Sequence, residues 1–132
     1  MSRFSRFWLM LLLPVLCLFS LAAGAETTEG AAQALHLLGY IGADYPATVS
    51  AGEIVDDGEY REQLEFLGVL QGLIVALPAK VERMELEQGV AGLRQAVSQR
   101  QPGEQVASEA RRLAARLVEL YQVRQVPAIT PD

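Results

Sequence analysis

Phe66-Leu-Gly-Val-Leu-Gln-Gly-Leu-Ile-Val-Ala-Leu77 carries no charge over twelve residues. It is too short to cross a bilayer, which takes roughly 20 apolar residues. Upstream, Tyr60, Leu64, Leu67 and Ile74 recur on one side at helical spacing. Asp56 stands where it can cap the helix, with Glu59 three residues on, as in a capping box. Pro78 ends or kinks the run. The stretch therefore predicts a helix from about Gly58 to Leu77. A helix apolar on nearly all sides sits centrally in a bundle or is buried in an interface.

Outward from this helix, both sides read as helical. Ala31, Ala34, Leu35, Leu38 and Ile41 predict a first helix from about Glu29 to Ala43. It should stop near Asp44, because Pro46 biases Tyr45 away from the helical region. Ala47 to Asp57 reads as a loop. Leu86, Val90, Leu93 and Val97 predict a third helix from about Ala79 to Gln99. After the Gln101-Pro-Gly103 turn, Val106, Ala110, Leu113, Leu117 and Leu120 predict a fourth, running to about Val123. No stretch shows sustained strand alternation. The fold expected is all-α: a small up-down bundle of three to four helices, or a three-helix core with the first helix packed across it.

The N-terminus adds a targeting signal. Arg3 and Arg6 precede an uncharged run from Phe7, and Ala23-Gly-Ala25 ends it with a small-x-small pattern. Basic, apolar and small segments in that order read as a signal peptide over residues 1–25. The alternative is an uncleaved membrane anchor, although Pro14, Ser20 and Gly24 interrupt the run. Leu16 occupies the place where a lipoprotein signal wants a small residue before Cys17. Cleavage would leave one helical periplasmic domain, 26–123, and a linker-like tail, 124–132, punctuated by Pro127 and Pro131. It would also remove the only cysteine, and with it any disulfide, thiolate metal site or haem-attachment motif.

All 16 acids lie after residue 25 and two of the 11 bases before it, so the remaining chain has a net charge of −7. That balance argues against nucleic acid, whose binders show basic patches. It is compatible with cations or a basic partner. There is no Gly-rich phosphate loop, and the single His forms no Ser-His-Asp arrangement, so the chain does not read as an enzyme.

Four residues are candidate metal ligands: Glu62, Glu65, Asp44 and His36. Glu62 and Glu65 stand side by side on one helix, and paired carboxylates suit hard cations. On a helical wheel they lie about 200° and about 140° from Tyr60, at 100° per residue. Both then point away from the apolar face, and a solvated acidic face at a helix N-terminus is the competing reading. Glu82 and Glu85 repeat the spacing, and two such pairs on adjacent helices could converge. His36, Tyr40 and Asp44 fall along one side of the first helix. They could form a metal or proton-linked site, or a packing seam with Tyr40 buried and His36 at its rim.

Ala34-Leu-His-Leu-Leu-Gly-Tyr-Ile-Gly-Ala-Asp-Tyr-Pro46, then Gly52, then Glu59-Tyr-Arg-Glu-Gln-Leu-Glu-Phe66 resembles the extracytoplasmic N-terminal region of bacterial high-affinity iron permeases. These are of the oxidase-dependent iron transporter type, often fused to cytochrome c. The resemblance covers about residues 30–70. It implies a periplasmic accessory module of an iron-uptake system that binds or presents iron, or docks the permease and a cytochrome c-type domain. A haem-binding domain would then follow the tail. Arg61-Glu62-Gln-Leu-Glu65 reads like the family's Arg-Glu-x-x-Glu iron motif, but that motif sits in membrane helices, so the match here is taken as coincidence. Gly39 stands where the pattern has an acid. The chain lacks a membrane helix after the signal, so membrane attachment would come through a partner or an uncleaved signal. A structural or oligomer-forming helical domain, or a truncated gene product, is the alternative.

Overall fold

The computed structural model describes residues 29–123. The expected signal peptide and tail lie outside the described residues. Four helices run up and down: α1 over 29–44, α2 at Asp57–Ala76, α3 at Arg83–Ser98 and α4 at Gly103–Tyr121. None of these is long and apolar enough to cross a membrane.

Each helix buries most of the stripe its spacing predicts, with Leu35, Leu64 and Leu120 half-buried at the edge of the core. Ala31, Ala34, Leu38 and Ile41 of α1 meet Leu67, Leu70 and Ile74 of α2, Leu86, Leu93 and Val97 of α3, and Leu113 and Leu117 of α4 in one core. Full burial of a leucine or isoleucine contributes about 1.5–3 kcal/mol. Neighbours in sequence run antiparallel. Tyr60 of α2 meets Val97 of α3, and Gln71 of α2 accepts from Arg94. Glu85 of α3 meets Arg116 of α4. Tyr40 of α1 packs on Phe66 of α2, and Gly42 lies against Ala107 and Ala110, so α1 touches both α2 and α4. Of the two architectures expected, the up-down bundle is the one present.

The connection from α1 to α2 is more ordered than the expected loop. Tyr45–Ala47 form a 3-10 turn that accommodates Pro46, so Tyr45 is helical, contrary to the bias expected before a proline. Thr48 Oγ1 donates to the Tyr45 carbonyl at 2.7 Å. A two-stranded hairpin follows, pairing Val49 with Ile54 and Ser50 with Glu53. Ala51 and Gly52 both have positive φ, 50° and 77°, as a two-residue turn matched to strand twist requires. Strands of two residues are too short to show alternation.

Asp56 caps α2 as expected, its Oδ1 accepting the Glu59 N–H at 3.0 Å. α3 begins at Arg83 rather than Ala79: Pro78 ends α2, and the 80–83 and 82–85 backbone turns use the intervening residues. α4 ends at Tyr121, with Gln122 in the left-handed conformation, rather than at Val123.

α2 itself departs from expectation. Leu67, Leu70, Ile74 and Leu77 are buried, but Gly68, Val69, Gly72, Val75 and Ala76 face solvent. The helix is apolar on both sides without being enclosed.

Candidate functional site

The α1–α2 connection positions the chemistry. It brings the end of α1, the cap of α2 and its first turn to one end of the bundle. Two buried tyrosines hold that end. Tyr45 donates to the Gln101 carbonyl at 2.8 Å, and Tyr60 donates to the Val97 carbonyl at 2.8 Å. Both phenols thus grip the end of α3 and the turn after it. Burial, then the neighbouring Tyr60, pushes the Tyr45 phenol above its ordinary pKa.

Acids crowd the same end. Glu59 lies among Glu62, Asp56 and Asp44. The Glu62 carboxylate is the main cause that raises the Glu59 carboxyl above its usual range, followed by partial desolvation and then by Asp56 and Asp44. Two of the four candidate ligands, Asp44 and Glu62, therefore act on one carboxyl although they belong to different helices.

The other two stay apart from this cluster. Glu65 is exposed one turn further along α2, and His36 is exposed two turns before the end of α1. Glu62 and Glu65 both point away from the core, as the wheel predicts. The convergence considered with Glu82 and Glu85 does not occur. The antiparallel run of α2 and α3 puts Glu62 and Glu85 at opposite ends, and Glu85 pairs with Arg116 at 2.6 Å. Glu82 is exposed, because it precedes the first turn of α3. Tyr40 is 52% exposed rather than buried, with its ring 6.0 Å from that of Phe66. The His36, Tyr40, Asp44 side of α1 is thus a surface stripe, not a seam. Among the described residues, no three His, Asp or Glu side chains converge closely enough to hold one ion as they stand.

Glu59, Asp56 and Gln63 were not singled out by the spacing. The first two served as capping residues, which hid their part in the cluster. Gln63 is fully buried and neither its Nε2 nor its Oε1 has a hydrogen-bond partner among the described residues. Its signal was present: it lies three residues after Tyr60 and four before Leu67, on the inner face.

A sequence model of the iron permease-associated 4-helix bundle domain matches residues 22–124. The chain belongs to that family. The match spans all the described helices and bears out both the resemblance to the N-terminal region of iron permeases and the all-α bundle. The family is a permease-associated helical domain rather than a catalytic one. The two family-like segments meet in space: Tyr40 of the first stacks on Phe66 of the second, and Tyr45 and Tyr60 share the buried end. No curated protein matches the chain, and no solved structure does.

Proposed function

We propose that this domain is a non-catalytic, periplasmic module of an iron permease system, and that its acidic end gathers iron cations and presents them to the permease. The observation that carries the reading is the grouping of Asp44, Asp56 and Glu62 around Glu59 at one end of the bundle. Clustered carboxylates lower the local potential and raise the local cation concentration. Iron, as cargo, is a hard cation that accepts oxygen ligands.

The exposure of these acids supports weak, exchangeable binding, which suits hand-over better than storage. Export rests on the signal-like residues 1–25, and a cytochrome c-type domain as neighbour rests on the resemblance. His36 and Glu65 are outer ligands at most in this reading. Calorimetric titration of the purified protein with ferrous and ferric iron tests it, with Glu59→Gln/Glu62→Gln alongside. Saturable binding that the double variant weakens is the expected result. Binding that is absent, or is indifferent to the substitutions, removes the ligand role.

A further inference from the structure

The solvent side of α2 is the feature that neither the core nor the acidic end uses. From Phe66 to Leu77 the helix carries no charge, and its outer side shows Gly68, Val69, Gly72, Val75 and Ala76. Val69 is 49% and Val75 59% exposed. The outer side of a bundle helix is ordinarily polar. A Cβ at Gly68 or Gly72 would meet nothing within 4 Å, so the backbone is bare there and another helix could approach closely. Beside Val75 a shallow groove continues between α2 and α3, lined by Gln71, Ile74, Glu87 and Val90.

Charge says what could lie there. Residues 29–79 carry eight acids and one base, Arg61, whose Nε donates to the Asp57 carbonyl at 3.3 Å. Residues 80–123 carry six acids and seven bases, and all five ion pairs among the described residues lie in that half. The apolar strip therefore lies in the half whose acids form no ion pair among the described residues, with Glu62 and Glu65 at its N-terminal end. A second copy would set this acidic half against itself, at a like-charge cost. The 20 residues of α2 span about 30 Å, and one helix face of that length falls well short of the roughly 800 Å² per partner of a standard interface.

We propose that the outer face of α2 is a docking surface for a cationic amphipathic helix of a partner protein. The apolar side of that helix packs on Gly68, Val69, Gly72 and Val75, and its lysines or arginines meet Glu62 and Glu65. The contact is small and salt-sensitive, and so transient. The apolar strip from Gly68 to Ala76 lies outside the acidic cluster and Glu62 is the one residue of the docking surface shared with it, so the Val69, Val75 and Gly72 variants report on docking apart from iron.

The test uses a fluorescein-labelled, 18-residue Lys/Leu/Ala peptide with its leucines on one helical face. The same composition scrambled, and a version with Glu for Lys, are run beside it. Anisotropy should show saturable binding of the amphipathic cationic peptide alone, lost as salt rises. Val69→Ser/Val75→Ser should weaken it about tenfold, the scale of a lost apolar contact. Gly72→Gln blocks close approach and should weaken it similarly while keeping the helical circular dichroism. Equal binding of the scrambled peptide, or unchanged binding by Gly72→Gln, overturns the proposal. So does a dimer seen by light scattering without peptide and broken by Gly72→Gln, which would make a second copy the occupant.

Discussion

Tyr60 donates its hydroxyl proton to the Val97 carbonyl at 2.8 Å, tying the first turn of α2 to the last turn of α3. The same carbonyl also accepts from the Arg100 N–H at 3.0 Å. Tyr60→Phe therefore removes one bond without orphaning the acceptor. The expected loss is about 1 kcal/mol, the net value of a typical hydrogen bond. Urea denaturation measures it, and an unchanged midpoint would show that the bond does not hold the two helices.

Gln63 presents the opposite case. Its amide is buried and unpartnered among the described residues, and a buried polar group without a partner costs about 1–3 kcal/mol. Gln63→Met keeps the length and removes the polar atoms, so it should stabilise the domain by about that amount. Destabilisation would mean that the amide is satisfied after all, by a bound water.

Two glycines on helices should respond in opposite directions. A Cβ at Gly103 would lie 2.6 Å from Pro46 Cα and 2.8 Å from its Cβ, against backbone that cannot swing aside. Gly103→Ala should push α4 off the 3-10 turn and cost about 1–3 kcal/mol, as overpacking does. Gly72 has open space, and Gly72→Ala should gain about 0.5–1 kcal/mol from helix propensity and a less flexible unfolded chain. Thermal melts of the pair decide this. A midpoint that Gly103→Ala leaves unchanged or raises would contradict the packing at Gly103, and one that Gly72→Ala lowers would contradict the open space at Gly72.

Glu59 gives the pH dependence. Its folded pKa is raised, chiefly by Glu62. The folded state therefore binds more protons than the unfolded state between the ordinary carboxylate pKa and the raised one, and stability falls as pH climbs through that window. A ¹³C carboxyl titration should find Glu59 above its ordinary value, and Glu62→Gln should bring it down. A Glu59 curve that Glu62→Gln leaves in place would contradict the cluster.

The fold was largely legible, because apolar residues at helical spacing, Asp56 as a cap and the Gln101-Pro-Gly103 turn all pointed the same way. What escaped was non-local. The hairpin depends on a turn at Ala51-Gly52 between strands too short to leave a pattern. Tyr40 looked like a core residue, yet it lies outside the core with its ring tilted against Phe66. The wheel placed Glu62 and Glu65 outward correctly, but it could not bring Asp44 to Glu59, because their meeting depends on the path of residues 45–56. The apolar run of α2 implied enclosure, and the bundle covers only one side of it.

The central claim is that the acidic end takes iron. Its most direct test is paramagnetic broadening of the ¹⁵N–¹H spectrum on anaerobic addition of ferrous iron. The account predicts that resonances of Asp44 and of Asp56 to Glu62 disappear first, and that Glu59→Gln/Glu62→Gln preserves them. Broadening centred on His36 or on Glu82 to Glu87, or spread evenly over the surface, would contradict it.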